Sequence, residues 1–169
     1  MECPGGDSPF TARCHTGERV IVGLISDTHG LLRERAVEAL TGSDLIIHAG
    51  DVGRPEILDR LRAIAPVFAI RGNVDHGAWA EALPETRLVE ASGVRIYVLH
   101  DVHELGNASG FDVVVSGHSH KPREEWRDSV LFVNPGSAGP RRFQLPIVVA
   151  KLDLGVRPWK VEFVELRAG

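Results

Sequence analysis

The chain has 169 residues, of which 43% are hydrophobic and 25% are charged, and its net charge is -4. This length and composition are typical of a soluble globular domain with a core of its own. The acidic balance predicts no stable nucleic-acid complex, and no apolar stretch approaches the roughly 20 residues that span a bilayer, so no membrane association is expected.

Residues 1–18 are predicted to form a flexible tail, and residues 19–169 a single domain. The tail is rich in glycine and proline and lacks the apolar stretch of a signal peptide, which favours a cytoplasmic location. Its two cysteines, Cys3 and Cys14, do not make a disulfide framework. Zinc binding by Cys3, Cys14 and His15 is an alternative that lacks a fourth ligand.

The first half of the domain alternates between strand and helix patterns. A short β-branched run at 20–25 predicts a buried strand, and the apolar spacing over 31–40 predicts an amphipathic helix. A strand at 45–49, a helix over 55–65 and a strand at 67–70 follow. This order predicts a parallel sheet with right-handed crossovers.

The second half changes to a pattern of strands and tight turns. The predicted strands cover residues 87–90, 94–99, 113–116, 124–127, 130–133, 147–152 and 159–166. The first two and the fourth and fifth are separated by short turns, which predicts two β-hairpins. We therefore expect about ten strands and two helices, arranged as two sheets packed face to face with helices outside.

Short polar motifs follow many of these strands. They are Asp27-Thr28-His29, Gly50-Asp51, Gly72-Asn73, His100 and Gly117-His118-Ser119-His120. Strands that point the same way bring their ends together along one edge of a sheet, which is where sites form in open α/β folds. The sequence therefore predicts a functional site built from these motifs.

Each motif taken alone has an ordinary structural explanation. Asp27 is also a candidate cap for the helix that follows, Asp51 and Asn73 are common turn residues, and His100 taken alone is better explained as a simple hydrogen-bonded histidine. Their joint occurrence is more informative. Carboxylate, amide and imidazole ligands without a thiolate suit two first-row divalent ions, which clamp an in-line displacement at phosphorus when they are about 3.5–4 Å apart.

The order of these motifs resembles the calcineurin-like metallophosphoesterase superfamily. Gly72-Asn73-Val74-Asp75, Gly117-His118-Ser119-His120 and Asn134-Pro135-Gly136-Ser137 are similar to motifs of its small single-domain phosphodiesterases, the YfcE type. The resemblance covers residues 19–165. It implies an α/β fold in which two mixed β-sheets form a four-layer α/β/β/α sandwich.

The resemblance also implies a ligand set for two divalent metal ions. Asp27, His29 and His120 would hold one ion, Asn73, His100 and His118 would hold the other, and Asp51 would bridge them. Manganese is the expected metal, with nickel, iron, cobalt or zinc as alternatives.

Two departures from larger superfamily members concern residues beside the ligands. Those members carry a histidine after the Gly-Asn pair, assigned as the acid for the leaving group, where this chain has Val74. Asp75 and His76 are the candidate general acids here, and Asp75 has the alternative role of a hydrogen-bond partner that orients the ligands. Asp101 follows His100 where the family commonly has glycine, and a carboxylate there would tune the metal or repel an anionic substrate.

The expected function is a dinuclear metal-dependent phosphoesterase that hydrolyses phosphodiester bonds through a hydroxide bridging the two ions. The expected partner is a small phosphodiester, and a homo-oligomer is left open. Arg141 or Arg142 would contact a substrate phosphate or else lie at the surface or a subunit contact. The alternatives are a phosphomonoesterase with the same site and a non-catalytic protein-binding scaffold, since the resemblance includes a retromer subunit of that kind.

Overall fold

A computed structural model describes residues 19–167, so the predicted tail with Cys3 and Cys14 lies outside the described residues. Within them are ten strands, three α-helices and one 3-10 helix. In chain order they are β1 (Ile21–Ile25), α1 (Glu34–Leu40), β2 (Leu45–His48), α2 (Pro55–Arg62), β3 (Val67–Ala69), α3 (Ala78–Glu81), β4 (Thr86–Ala91), β5 (Val94–Leu99), the 3-10 helix (Val102–Glu104), β6 (Val113–Val115), β7 (Arg123–Arg127), β8 (Val130–Asn134), β9 (Val148–Asp153) and β10 (Lys160–Glu165).

The first sheet has the strand order β10-β9-β1-β2-β3. Strands β1, β2 and β3 are parallel, with Leu24 opposite Ile47 and Ile47 opposite Phe68. This confirms the alternating strand and helix order predicted for residues 20–70. Strand β9 joins the other side of β1 in the antiparallel direction, and β10 pairs with β9.

The second sheet has the strand order β4-β5-β6-β8-β7. Its three central strands β5, β6 and β8 are parallel, and each edge strand is the antiparallel partner of a hairpin. Both sheets are therefore mixed, as predicted. Because each contains a parallel core, each has one edge where several strands end together.

Two apolar layers hold the sheets and helices together. Between the sheets lie alternate residues of both, such as Leu24, Ile47, Ile96 and Leu131, all fully buried. A second cluster packs α1 and α2 on the outer face of the first sheet, and Leu40 is one of its fully buried members. The period-two alternation of the strands and the apolar stripe of each helix account for both layers.

The outer face of the second sheet has a thinner cover. Leu99 and Val114 lie on this face and are nevertheless buried. Tyr97, between them on the same face, stacks on Phe111 with ring centroids 4.4 Å apart. The loop that carries Phe111 therefore covers part of this face.

Helix boundaries differ from the sequence expectation in two ways. The predicted helix over 31–40 begins only at Glu34, because the backbone N–H groups of His29 and Gly30 still bond to the carbonyls of Asp51 and Val52 in the loop after β2. Helix α3 and the 3-10 helix were not predicted, since four and three residues are too few to show a periodicity. In the part of the chain that the structure describes, no helix has the length and apolarity needed to cross a membrane.

Candidate metal centre

The polar ends of the two sheets meet at one place. Asp27 and Asp51 follow β1 and β2 of the first sheet, whereas His100 and His120 follow β5 and β6 of the second. Nε2 of His100 lies 3.1 Å from Oδ2 of Asp51, and Nε2 of His120 lies 3.3 Å from Oδ1 of Asp27. The candidate site is therefore assembled across both sheets, and each sheet alone holds only half of it.

Two overlapping groups of ligand atoms form this centre. The first contains Asp27, His29 and His120, and the second contains Asp27, Asp51 and His100; within each group the ligand atoms all lie within 4.8 Å of one another. Five of the seven predicted ligands are thus gathered around two carboxylates. All five are at least largely buried, since even His29 exposes only 14% of its side chain.

Each carboxylate uses one oxygen for support and turns the other toward the histidines. Oδ2 of Asp27 accepts hydrogen bonds from the hydroxyl of Ser26 at 2.6 Å and the backbone N–H of His118 at 3.1 Å. Oδ1 of Asp51 accepts one from the backbone N–H of Val74 at 3.0 Å. The other oxygen of each carboxylate is therefore held in place even without a cation, which lowers the free-energy cost of binding a cation there.

His100 is oriented in the same manner. Its Nδ1–H donates to the carbonyl of Ala49 at 2.7 Å, which directs Nε2 at Asp51. Burial would lower the pKa of His100, but the Asp51 carboxylate and the Ala49 carbonyl outweigh it and raise that pKa to about 9. Without metal the imidazole therefore carries the positive charge that the carboxylates require.

The pKa values of both carboxyl groups are lowered. Burial alone would raise the pKa of Asp27, but the neighbouring His120, His29 and Ser26 outweigh it and hold the pKa well below its usual range. The pKa of Asp51 is lowered likewise, against burial, by His100 and the Val74 N–H. Two buried, ionised carboxylates side by side are a favourable place for cations.

Two buried ligand atoms without a hydrogen-bond partner also indicate a site for a divalent metal ion. Oδ1 of Asp27 and Nδ1 of His120 are buried and have no hydrogen-bond partner. An unpartnered buried carboxylate oxygen costs free energy that a bound cation would recover. Oxygen and imidazole nitrogen donors without sulfur match first-row divalent ions rather than a structural zinc site.

The backbone of the site is held in an unusual conformation. Left-handed φ angles occur at most of the predicted ligands: Asp27 (54°), His29 (45°), Asp51 (55°), His118 (68°) and His120 (61°). Non-glycine residues rarely adopt this region, and such strain concentrates at functional sites where the surrounding structure enforces it. Here it turns successive side chains of each loop toward one point.

The other two predicted ligands lie at the margin of the centre. The His118 ring lies 5.2 Å from the His100 ring, its side chain is 47% exposed, and its Nε2 is 4.0 Å from Oδ2 of Asp101. Asn73 is exposed and directly precedes Val74, whose N–H supports Asp51. The ligands that the resemblance implies for one ion are therefore gathered, and those for the second are only partly so.

Asp75 has contacts that differ from those expected of a general acid. It is buried, and its two carboxylate oxygens accept hydrogen bonds from the backbone N–H groups of Val52 at 3.1 Å, Gly53 at 2.9 Å and Gly72 at 2.9 Å. These bonds tie the loop of Asp51 to the loop of Asn73, which favours the orienting role. The other candidate acid, His76, is exposed.

His48 is a buried histidine that the sequence reasoning missed. Its Nδ1 accepts from the N–H of Gly50 at 3.2 Å, and its Nε2 lies 3.0 Å from the hydroxyl of Thr28, which itself donates to the carbonyl of Val52 at 2.8 Å. Because Nδ1 and the Thr28 hydroxyl are so engaged, the proton sits on Nε2. Complete burial lowers the pKa of His48 to about 4, so the ring is neutral. A histidine at the end of an otherwise apolar strand was the available signal.

Arg141 and Arg142 are exposed on the loop that follows Gly139. A Cβ on Gly139 would lie 2.3 Å from the carbonyl oxygen of Thr28, so this loop packs directly against the loop of Asp27 and His29. The two arginines therefore lie on a loop next to the centre.

Comparisons with known proteins agree with this geometry. Residues 20–156 match the calcineurin-like phosphoesterase superfamily domain. The chain is 33% identical over 150 residues to a probable metallophosphoesterase of Methanothermobacter thermautotrophicus, which covers 79% of this chain and 87% of the relative. It is 28% identical over 158 residues to the phosphodiesterase YfcE of Escherichia coli, with coverage of 76% and 84%.

Solved structures show the same fold. An archaeal phosphodiesterase superposes with a TM-score of 0.75 at 24% identity, over 87% of this chain and 100% of the other. Vacuolar protein sorting 29 of Cryptosporidium parvum superposes with a TM-score of 0.70 at 21% identity, over 89% and 99%. With the domain match, the sequence relatives and the motif geometry in agreement, the chain belongs to the calcineurin-like phosphoesterase superfamily.

Proposed function

We propose that this protein is a dinuclear metal-dependent phosphodiesterase acting on a small phosphodiester. The observation that carries the proposal is the convergence of Asp27, Asp51 and three imidazoles on one point, with one oxygen of each carboxylate left for a cation. A fold kept only as a scaffold has no need of buried, unpartnered ligand atoms on strained loops. That the fold is shared with vacuolar protein sorting 29 leaves the scaffold function as the alternative.

The proposed metal ligands are those that the resemblance implies, and the geometry gathers the set for the first ion more completely than the set for the second. Asp27, His29 and His120 would hold one ion, Asn73, His100 and His118 the second, and Asp51 would lie between them. When bound, two divalent ions such as manganese supply a water of lowered pKa and positive charge opposite the phosphoryl oxygens. The chain's part is to keep Asp51 between both sites, which the N–H of Val74 does, and to keep Nε2 of His100 directed inward, which the carbonyl of Ala49 does.

The described residues provide little that could protonate the leaving group. Both oxygens of Asp75 are engaged with backbone N–H groups, so this side chain has no free oxygen to carry a proton. We infer that the leaving group departs without a strong general acid. Esters of acidic alcohols, such as nitrophenols, would then be cleaved much faster than alkyl esters.

A preference for diesters over monoesters is supported by charge. Asp101 lies 4.0 Å from His118, and hydrogen bonds from His103 hold the pKa of Asp101 below its usual value against the opposing effect of burial. This extra negative charge beside the centre disfavours a dianionic monoester more than a monoanionic diester. A cytoplasmic location without a nucleic-acid or membrane partner is part of the proposal, and the net charge of -4 supports the absence of a nucleic-acid partner.

The test compares two substrates with the same metal. Metal-stripped protein is assayed on bis(p-nitrophenyl) phosphate and on p-nitrophenyl phosphate, with Mn²⁺ or Ni²⁺ added back and bound metal counted by mass spectrometry. We expect two ions per chain and metal-dependent hydrolysis of the diester in preference to the monoester. Asp51→Asn should lose at least about a hundredfold in kcat, because it removes the charge between the two ions.

The matched control is Asp59→Asn, the same chemical change at a carboxylate of helix α2 whose side chain is 72% exposed and which is not among the proposed ligands. It should retain both metals and most of the activity. If folded protein with metal cleaves neither ester, the phosphodiesterase proposal fails and the scaffold function takes its place. Preferential cleavage of the monoester would support the phosphomonoesterase alternative instead.

A further inference from the structure

A groove of about 220 Å³ opens beside His118, at the edge of the proposed metal centre. It runs over the outer face of the second sheet, between the 3-10 helix Val102–Glu104 and strand β7. Ser116, Gly117 and Asn134 line the end near His118, and Phe132 lines the far end. The groove therefore begins at a proposed metal ligand and leads away along the protein surface.

The charged groups of this groove are largely paired with one another. On strand β7, Glu125 accepts from Arg127 at 2.8 Å and from Arg123 at 2.5 Å. On the opposite wall, Asp101 accepts from His103 at 2.9 Å. Glu125 offsets one of the two arginines of β7, and Asp101 on the opposite wall offsets the other. The groove therefore has little net charge to attract a second phosphate, and it suits an uncharged substituent.

An aromatic slot forms the far end of the groove. Phe132 is half-buried there, and the guanidinium of Arg127 lies 4.8 Å from the centre of its ring. Val102 adds an apolar side chain to the opposite wall. Aromatic side chains capped by a guanidinium bind flat, uncharged rings by stacking and burial of apolar surface.

We propose that this groove binds the ester substituent that stays on phosphorus during hydrolysis, and that it prefers a single planar ring to a small alkyl group. This inference rests on the proposed phosphodiesterase function. In-line displacement places the leaving oxygen opposite the attacking water. We place the retained substituent in this groove because the groove opens at His118, a proposed metal ligand, and leads away from the centre along the surface.

The volume limits the substituent to one ring. Pockets for drug-sized ligands have volumes of about 300–1,000 Å³. The 220 Å³ of this groove is below that range and is sufficient for a monocyclic ring. A monoester has no retained substituent, so it would leave the groove empty and gain nothing from it.

The test uses two diesters with the same leaving group. Bis(p-nitrophenyl) phosphate and methyl p-nitrophenyl phosphate both release p-nitrophenolate, and they differ only in whether an aryl or a methyl ester is retained. We expect Phe132→Ala and Arg127→Ala each to reduce the ratio of their kcat/KM values by about threefold to tenfold, the range that a lost ring contact gives. Hydrolysis of the methyl ester should change less than twofold.

The chain offers a matched control for the loss of a guanidinium stacked on a phenyl ring. Arg87 lies 5.0 Å from the ring of Phe68, and neither residue lines the groove. Arg87→Ala should leave the aryl-to-methyl ratio unchanged. Calorimetric binding of phenylphosphonate and methylphosphonate to the manganese-loaded protein adds a measurement without turnover, and the same variants should weaken phenylphosphonate selectively.

The outcomes separate this inference from the function on which it rests. If the wild-type protein does not cleave either diester, the phosphodiesterase proposal fails. If it cleaves both, but Phe132→Ala and Arg127→Ala change the two kcat/KM values equally or not at all, the groove assignment is wrong and the phosphodiesterase stands. A thermal melt of each variant shows whether an equal loss on both diesters comes from unfolding.

Discussion

His48 connects the two loops that carry Asp27, His29 and Asp51. Its ring accepts from the backbone N–H of Gly50 and donates to the side-chain hydroxyl of Thr28, so it fixes one group on each loop. Gly50 and Asp51 both have left-handed φ angles, of 96° and 55°. A neutral, fully buried hydrogen-bond bridge is a direct means of holding two such loops together.

Replacement of His48 should weaken both folding and metal binding. His48→Phe leaves the Gly50 N–H without its partner and the Thr28 hydroxyl without its donor, and a buried unsatisfied group costs about 1–3 kcal/mol. His48→Asn can still accept from Gly50, so it should recover part of that loss. Urea unfolding gives the stabilities, and titration with Mn²⁺ gives the affinities. Equal metal affinity in wild type and His48→Phe would contradict the bridging role.

Asp75 provides a second residue-scale prediction, because its two possible roles have different kinetic consequences. Asp75→Asn loses one of the two acceptor oxygens that hold Val52, Gly53 and Gly72, which should cost about 1–3 kcal/mol of stability and lower kcat. If Asp75 only orients the loops, the loss will be the same for good and poor leaving groups. Diesters with a series of substituted phenols measure this dependence. A loss that grows as the phenol becomes less acidic would instead identify Asp75 as the general acid.

At the scale of elements, the close approach of the β2 and β3 ends depends on a missing side chain. A Cβ on Gly72 would lie 2.2 Å from both the backbone nitrogen and Oδ1 of Asp51. No rotamer change relieves a contact with backbone. The loop after β3 can therefore support Asp51 only with glycine at this position.

Gly72→Ala should consequently displace Asp51. We expect a loss of about 1–3 kcal/mol in the free energy of unfolding from overpacking, together with loss of one bound metal ion. The matched control is Gly106→Ala, where a Cβ meets nothing within 4 Å. Mass spectrometry of bound metal and thermal melts check both variants. Two ions retained by Gly72→Ala would show that the loop can move without cost.

The helices and strands were largely predictable, because buried apolar residues recur at every second position of a strand and at every third or fourth position of a helix. Strands such as β5, predicted and found at Val94–Leu99, show an apolar alternation that the chain itself specifies. Helix α3 and the 3-10 helix are too short for any period, and tertiary contacts decide them. The left-handed angles at the ligand loops are likewise set by packing between loops distant in sequence, which no local pattern records.

The candidate site was likewise predictable where local sequence patterns determine it, and unpredictable where tertiary contacts do. The motifs indicated that Asp27 and Asp51 come together, since both end parallel strands of one sheet. The bridging role of His48 depends on its distance to Thr28, twenty residues away, and could only be found in the structure. Whether Asn73 and His118 complete the second ion site stays a prediction that metal counting tests.

At the scale of the whole molecule, His48 makes stability depend on pH. Its pKa is about 4 in the folded protein, because of burial, against an ordinary value of 6.5. Above pH 6.5 the ring is neutral in both states and its contribution to stability is complete. As the pH falls from 6.5 toward 4, only the unfolded chain takes up the proton, so stability is lost by about 1.4 kcal/mol per pH unit.

This pH dependence is separable from that of the other histidines by comparison with His48→Phe. The difference in unfolding free energy between metal-free wild type and variant should shrink steadily as the pH is lowered from 6.5 to 4, and it should be constant above pH 7. Urea unfolding at half-unit pH steps measures it. A difference that stays constant throughout would mean that His48 takes up its proton equally in the folded and unfolded chains, and that the buried, neutral bridge between the ligand loops does not exist in solution.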